Sequence, residues 1–274
     1  MSKPYPAIRY AELIPIDTSA NPFALSVTHF VQDSVGQAKF INGKGDDVPL
    51  VNVKGTKFEQ MVNMAGVGYS FSLEEIGAAQ MMGSNLSADG ADAARLAYEQ
   101  LVDEVAFVGN TALGVQGLYN MTGITTIAAG ATFAASTPSA ILAIINNAMN
   151  EIHSGSLGVE MADTVVLPLA ELGRLASTPI GDSGLTVLGF LKAANVYTVS
   201  TGQPLNIIGD RRLATQMVVY RKDPAVLKLH MPMPLQFIPP QAVNLEIKVL
   251  GMFRFAPISI RRPGAVRYVS GVAA

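Results

Sequence analysis

The sequence predicts an α+β fold organised around one long helix. Three observations carry this prediction: an amphipathic helical pattern over 87–108, a polar and β-prone stretch over 31–70, and strand-rich composition from residue 216 to the end. Between the long helix and the strand-rich ending, helix and strand patterns alternate over 130–215, which indicates a compact α/β module.

Composition limits the classes of protein that this chain can be. It has 274 residues, of which 49% are hydrophobic and 15% are charged. Such a chain can bury a sizeable core and still expose apolar area to partners. No apolar run reaches the roughly 18 residues that a membrane span needs, and the N-terminus lacks the apolar core of a signal peptide. We therefore expect a soluble cytoplasmic protein with no membrane segment.

Charge and cysteine content exclude several chemistries. The chain has no cysteine, so it has no disulfides, no cysteine-ligated zinc and no thiol nucleophile. The net charge is −2, and basic residues never cluster beyond pairs such as Arg211-Arg212. Tight binding of nucleic acid needs a basic face. The chain could still enclose DNA, because a lining that does not grip DNA suits dense packing.

Residues 1–30 are expected to form an extended arm. Pro4, Pro6, Pro15 and Pro22 prevent a continuous helix and favour extended backbone. Since the segment has few apolar residues, we expect it to need a neighbouring surface to become ordered, with a frayed terminus as the simpler alternative.

Residues 31–70 are expected to form a long β-hairpin. A dense cluster of turn-forming residues suits its tip. A two-stranded ribbon this polar is marginal alone, so it is expected to lie on another subunit, although an ordinary surface hairpin is the alternative. The residues predicted to make assembly contacts at the tip are Asn42, Gly43, Lys44, Gly45, Asp46 and Asp47.

Two helices follow the hairpin and have clear boundary signals. Ser72 and Glu75 form a capping box that starts a helix over about 73–84. Ser87 is expected to cap a second helix that runs to Val108, where Gly109 ends it. The predicted buried face of the second helix consists of Ala94, Ala97, Leu101, Val105 and Val108.

The α/β module begins where Thr137-Pro138 opens a helix with proline at its first position. The apolar face of this helix is predicted to be Ile141, Ile145, Ala148 and Ile152. The remaining predicted elements are a strand at 164–167, helices at 168–176 and 185–194, and a strand at 204–208. Further strands are predicted at 217–220, 227–229, 245–249 and 266–269, with the proline-rich run 231–240 as a connector.

No motif in the sequence predicts catalysis. His29, His153 and His230 lie in separate segments and form no zinc-binding pair. The GDSG sequence at 181–184 lacks the last glycine of a nucleophile elbow and indicates a turn. The glycines at 109 and 114 have the outer spacing of a phosphate loop, but they follow a helix and lack the lysine. We expect no catalytic residue, no cofactor and no metal, and hence no enzyme.

Three passages carry a resemblance to a known family. They are SADGADAARLAYEQLVDEVAFVGNTALGVQGLYN at 87–120, TVVLPLAELGRLAS at 164–177 and LEIKVLGMFRFAPISIRRPGAVRYVSGV at 245–272. Together with the order of the elements, they resemble the major capsid proteins of tailed bacteriophages and prophages, which have the Hong-Kong-97-like fold. The resemblance covers essentially the whole chain.

The resemblance implies a division of the chain. It consists of an N-terminal arm at 1–30, an E-loop hairpin at 31–70, a peripheral domain with the spine helix at 71–129, an axial α/β domain at 130–215, and return strands to the peripheral domain at 216–274.

The resemblance also implies a function. Copies of the chain would form hexamers and pentamers of an icosahedral virion capsid that is made in the host cytoplasm and encloses double-stranded DNA without sequence-specific binding. Separate scaffolding, portal and decoration proteins are possible partners. The chain has no helical scaffolding segment at its start, so scaffolding would be a separate protein or the sequence would be the mature form. Some relatives crosslink a hairpin lysine, and Lys39, Lys44, Lys54 and Lys57 lie in the corresponding element.

Two alternatives remain open from the sequence. An encapsulin-type shell would hold a cargo enzyme, but encapsulins usually begin with an amphipathic helix, which the prolines here disfavour. A soluble α+β enzyme or ligand-binding protein would be a small oligomer with one dominant pocket and a hairpin folded onto its own core. Neighbouring genes separate the first alternative from a phage capsid, and particle formation separates the second.

Overall fold

The computed structural model describes residues 5–36, 38, 40, 50–83, 85–181 and 184–273. The helices are α1 Tyr10–Leu13, α2 Leu73–Met82, α3 Leu86–Phe107, α4 Pro138–Gly155, α5 Leu169–Ser177, α6 Val187–Ala193 and α7 Val196–Thr201. The strands are β1 Ile16–Asp17, β2 Ser26–Val35, β3 Asn52–Met61, β4 Asn63–Ser72, β5 Gly109–Asn110, β6 Val115–Gln116, β7 Thr126–Ala128, β8 Thr164–Pro168, β9 Asn206–Asp210, β10 Gln216–Tyr220, β11 Leu227–His230, β12 Met233–Phe237, β13 Gln241–Val243, β14 Glu246–Phe255, β15 Ile258–Ile260 and β16 Val266–Ser270.

Both predicted helices after the hairpin are present. The capping box of Ser72 and Glu75 starts α2 as predicted. The long helix α3 begins two residues earlier than predicted, because the capping side chain is that of Asn85 and not of Ser87; it accepts from the backbone N–H of Ala88 at 3.3 Å. Asparagine caps a helix start as well as serine does. Gly109 follows the helix with a φ of 84°, as expected of a terminating glycine.

The buried face of α3 differs from the prediction. Ala94 and Val105 are buried, but Ala97, Leu101 and Val108 are exposed. The residues that replace them in the interior are Tyr98, Val102, Ala106 and Phe107. The predicted and the observed buried residues both recur at helical spacing, so the pattern of α3 alone does not choose between them. The choice is made by Phe253 on β14, whose ring packs edge-on against that of Tyr98 with centroids 4.6 Å apart.

The sheet beneath α3 is the peripheral sheet, in which β4 pairs with β14 along its whole length, and β12 and β13 occupy the other edge. The hairpin therefore consists of β2 and β3 and ends at Met61, so the prediction that it continued to residue 70 was wrong. The run 231–240 is also not only a connector. It contains β12, an edge strand with an irregular register between Met233 and Gln236 that accommodates Pro234.

The α/β module contains a five-stranded sheet in the order β7-β16-β10-β8-β9. The predicted apolar face of α4 is buried against it, as expected. Strands β10 and β16 come from the ending of the chain and join this sheet, where Val218 pairs with both Val166 and Tyr268. Of the strands after residue 215, β12, β13 and β14 return to the peripheral sheet, whereas β11 and β15 form a small third sheet with β1.

The first described residues fold onto the chain's own core. Tyr10, Leu13 and Ile14 are buried, and β1 pairs in parallel with β11. The carboxylate of Asp103 on α3 accepts from the backbone N–H groups of Arg9 and Tyr10, at 2.8 Å each. The expectation that the arm needs a neighbouring surface was wrong for this part, because its partner is the same chain.

A buried ionic cluster connects the arm, α3 and the five-stranded sheet. The guanidinium of Arg212, whose side chain is 6% exposed, is hydrogen-bonded to Asp103, lies 3.1 Å from Glu104, and lies 3.3 Å from Asp210 at the end of β9. The hydroxyl of Tyr119 donates a hydrogen bond of 2.7 Å to the carboxylate of Asp210. Every charged group in the cluster therefore has a partner, as buried charges require.

We predict that Arg212→Ala destabilises the subunit by about 3–5 kcal/mol, because it leaves the carboxylates of Asp103 and Asp210 buried without their cation. Chemical denaturation of the unassembled subunit measures this. The control is Lys248→Ala, whose ion pair with Glu246 is exposed and whose loss should cost less than about 1 kcal/mol. Equal effects of the two substitutions would contradict the role of the cluster.

A second prediction concerns Gly117, where the chain folds back over the end of α3. A Cβ at this position would lie 2.3 Å from the carbonyl carbon and oxygen of Phe107. The same approach lets the N–H of Tyr119 donate to Phe107 at 3.0 Å. Gly117→Ala should destabilise the subunit by about 1–3 kcal/mol in a thermal or denaturant titration.

Gly77 provides the matched control for that substitution. It lies inside α2, and a Cβ there would meet nothing within 4 Å. Gly77→Ala should therefore be neutral or stabilising by up to about 1 kcal/mol. A stable Gly117→Ala subunit would show that the close approach is not required.

Candidate assembly surfaces

The β2–β3 hairpin extends beyond the rest of the subunit. Its strands are ten residues long and pair without interruption from Ser26–Met61 to Val35–Asn52. Residues 50–59 are all exposed, and burial begins only at the base of the hairpin, where Val62 is buried. His29 and Val31 of β2 are half-buried beside the sheet β1-β11-β15, and a two-stranded ribbon that is otherwise in solvent has little stability of its own.

The hairpin exposes several large apolar side chains among its polar ones. Phe30 is 70% exposed, although it lies on a regular strand opposite Lys57. Other large apolar side chains that are mostly exposed on or beside the hairpin are Phe23, Leu25, Phe40, Leu50, Val51, Val53 and Met61. Large apolar side chains held in solvent favour a contact with another chain. The hairpin can therefore bury substantial area on a partner without any change in the subunit core.

The predicted tip residues Asn42, Gly43, Lys44, Gly45, Asp46 and Asp47 lie outside the described residues. The assembly role given to them thus stays a prediction. Of the four lysines considered for crosslinking, Lys39 and Lys44 also lie outside, whereas Lys54 and Lys57 are on β3. Lys57 forms an exposed ion pair with Glu59 at 3.3 Å.

The far end of the peripheral sheet is a second apolar surface. Met81 and Met82 at the end of α2 are exposed, as is Leu245 in the turn between β13 and β14. A pocket of about 330 Å³ opens between α2 and the sheet, with Phe71 and Ile247 among its apolar walls. The flexible side chain of methionine adapts to surfaces that do not match it closely.

The α/β module exposes further apolar side chains at its loops. Leu157, Val159 and Val199 are mostly solvent-exposed, and Leu157 has a φ of 54°, which is unusual for a residue other than glycine. Apolar surface thus occurs at the hairpin, at the end of the peripheral sheet and on the α/β module. A chain that contacts several neighbours at once needs surfaces distributed in this way.

Of the three histidines considered for catalysis, His29 and His230 lie close enough to interact electrostatically, but His153 does not join them. The imidazole of His153 contacts the backbone carbonyl of Glu160 at 3.2 Å, far along the chain from the buried His230. Asp182 and Ser183 of the GDSG sequence lie outside the described residues. Within the described part of the chain, no three His, Asp or Glu side chains are grouped as metal ligands would be.

The segment from 109 to 116 is a small antiparallel ladder after α3, in which Gly109 pairs with Gln116. It follows a helix and not a strand, so it is not a phosphate loop. None of the helices in the described part of the chain combines the length and apolar content that a membrane crossing requires.

Comparison with known proteins gives a consistent result. A family model described as "Major capsid protein" matches residues 36–272. Among solved structures, the capsid of Myoviridae phage XM1 is 19% identical, with a TM-score of 0.81 over 99% of this chain and 94% of that chain. The capsid of an empty GTA particle is 12% identical, with a TM-score of 0.66 over 100% and 93%.

A virus-like particle from Pyrococcus furiosus is also similar, at 16% identity and a TM-score of 0.60 over 95% of this chain and 91% of that chain. At these identities the structural matches establish the fold alone. No curated protein matches the sequence. The fold class expected from the sequence, α+β with the Hong-Kong-97-like arrangement, is confirmed.

We predict that Phe30→Ser changes the free energy of unfolding of the subunit by less than about 1 kcal/mol, because the side chain is exposed. It should nevertheless lower the yield of assembled particles, measured by sedimentation. The control is Phe58→Ser on the opposite face, where the ring stacks on His29 with centroids 5.4 Å apart. That substitution should reduce subunit stability instead, and particle yields equal to wild type for Phe30→Ser would contradict the contact role of this face.

Proposed function

Because the chain belongs to the major capsid protein family, we propose that its copies assemble as hexamers and pentamers into an icosahedral shell that encloses a double-stranded DNA genome. The observation that carries this proposal is the projecting hairpin, whose exposed apolar residues have no partner surface among the described residues of the same subunit. The encapsulin alternative is not favoured by the family match.

The distribution of exposed apolar surface supports a shell over a small closed oligomer. A two-fold dimer buries one patch against itself, whereas a subunit in a shell has neighbours on several sides. The hairpin, the α2 end of the peripheral sheet and the α/β module present separate apolar surfaces. Many contacts of modest strength then add to a stable particle, since each further contact within an assembly is effectively intramolecular.

The charge of the chain suits a container for DNA. The net charge is −2 and basic residues occur singly or in pairs, so the subunit does not bind DNA through a strongly basic face. We propose that the genome is enclosed without sequence-specific contacts. We further propose that the chain has no catalytic role, that it assembles in the host cytoplasm, and that scaffolding, portal and decoration proteins, where present, are separate partners.

The predicted tip of the hairpin is the most direct test. Deleting residues 42–47 should leave the subunit folded, because the connection joins two exposed strands, but should prevent or weaken shell assembly. Size-exclusion chromatography and negative-stain microscopy measure assembly, and thermal unfolding measures the subunit.

A variant in which glycine and serine replace the same six residues is the control, because it keeps the length of the connection. If this variant assembles and the deletion does not, the loss of assembly is due to the shorter connection and not to the six side chains. Normal particles from the deletion would exclude an intersubunit role for the tip.

A further inference from the structure

A layer of polar side chains is buried where the base of the hairpin meets the sheet β1-β11-β15. Asp17 on β1 lies opposite His230 on β11, and Lys228 on β11 lies opposite Ser259 on β15. His230 and Ser259 are almost fully buried, at 2% and 1% exposed. This face of a three-stranded sheet therefore carries polar groups where an apolar face would be expected.

The hairpin covers this face from the other side. His29 on β2 stacks on Phe58 of β3, and the side-chain amide of Gln60 donates to the carbonyl oxygen of Ile258 at 3.1 Å. A pocket of about 390 Å³ lies between the two elements, and its walls include His29 and Phe58 of the hairpin and Ser259 and Arg261 of the sheet.

Several atoms of this layer have no hydrogen-bond partner. Those within the described residues are both ring nitrogens of His230, Nδ1 of His29, Oγ of Ser259, Nε of Arg261 and Oε1 of Gln60. Nδ1 of His230 does lie 3.4 Å from the Asp17 carboxylate, a contact that is an ion pair only when the imidazole is protonated. A buried polar atom without a hydrogen-bond partner destabilises the contact that buries it. The hairpin base is therefore held to the sheet by a contact of small net stability.

The charges around the two imidazoles are mainly positive. Lys228 and Arg261 both act on His29 and on His230. Asp17 is the carboxylate that faces the layer from the sheet, and it is already paired with Lys228. On the hairpin, Glu59 lines the same pocket, but its carboxylate accepts from Ser26 at 2.6 Å and pairs with Lys57. A proton added to His29 thus enters a partly buried site near two cations. At His230 the carboxylate of Asp17 lies 3.4 Å from Nδ1, but it is shared with Lys228, and burial outweighs its attraction for the proton.

We propose that this layer is an acid-sensitive latch, in which neutral His29 and His230 hold the hairpin base on the sheet and their protonation releases it. The latch goes beyond assembly itself, because it concerns the orientation of the hairpin within one subunit. It gives the projecting element two positions relative to a fixed body, selected by pH.

The direction of the effect follows from proton binding. Burial lowers the pKa of His29, and the charges of Arg261 and Lys228 lower it further. Burial also lowers the pKa of His230, and Asp17 opposes this only in part. A released histidine has a pKa of about 6.5. Release is therefore accompanied by proton uptake, so the docked state has its full stability above about pH 6.5 and loses stability as the pH falls. Each histidine lowers the equilibrium constant for docking by up to about tenfold per pH unit.

The absence of cysteine from the sequence permits a direct test. Ser259→Cys places one thiol on the sheet face beneath the hairpin. Its reaction rate with a dithiodipyridine is measured from pH 7.5 to 5.0 and divided by that of a free cysteine peptide at the same pH. We expect strong protection at pH 7.5 and an increase in relative reactivity of tenfold or more at pH 5.0.

Matched variants separate release of the hairpin from general unfolding. Ala148→Cys, in the core of the α/β module, should stay protected at both pH values. Adding His29→Phe and His230→Gln to the Ser259→Cys reporter should abolish the increase, because neither new side chain takes up a proton. His153→Gln, which changes the remaining histidine, should leave the increase intact.

A further variant covers the case in which the double substitution does not fold. Arg261→Gln removes one of the two cations and retains a polar side chain, so the reporter's reactivity should rise less steeply with acid. The latch would be overturned by equal protection of the reporter at both pH values, by an unchanged increase in the histidine variant, or by an unaffected slope in Arg261→Gln. The readout is in the unassembled subunit, so failure of the latch is distinct from failure of shell assembly.

Discussion

The cluster around Arg212 is the interaction on which the rest of the architecture depends. One guanidinium holds Asp103 and Glu104 of the long helix and Asp210 of the five-stranded sheet, while Asp103 also fixes the arm through two backbone N–H groups. These elements are far apart in sequence, and the charges of Asp103, Asp210 and Arg212 are buried only because they are paired with one another. The peripheral sheet, the α/β module and the arm are therefore held in fixed positions relative to one another.

Because the body of the subunit is fixed by this cluster, the hairpin can act as a separate element. The body pairs the buried charges around Arg212 within the same chain and buries its own apolar core. The hairpin, in contrast, leaves Phe30 and its apolar neighbours in solvent. In a small enzyme, such a ribbon would fold onto the core and stabilise the subunit. Here its apolar area stays exposed and can be buried in contacts between subunits. A capsid protein needs this division, because its subunits must fold first and associate afterwards.

The two polar clusters of the subunit differ in a physically informative way. Around Arg212, each charged group is paired, which favours a single rigid arrangement. Beneath the hairpin, His230 and Ser259 are buried without hydrogen-bond partners in the described structure, and Lys228 and Arg261 make the site positive. The first cluster joins parts of the body that are fixed, and the second lies at the connection between the body and its projecting element. Incomplete pairing thus occurs at the junction between the body and the hairpin, where we propose the latch.

The sequence by itself determined the elements whose signals are local. Ser72 and Glu75 start α2, and the apolar face of α4 is buried as its spacing requires. The order of the elements, together with the three passages at 87–120, 164–177 and 245–272, was sufficient to identify the capsid fold. The tertiary structure alone decided that Tyr98 and not Leu101 faces the interior, because two stripes of equal period compete and only Phe253 on the sheet selects one. It also decided which strands pair, and hence that the strand around Val218 joins the α/β module. Strand pairing depends on partners distant in sequence, and a strand's own composition does not encode its neighbour.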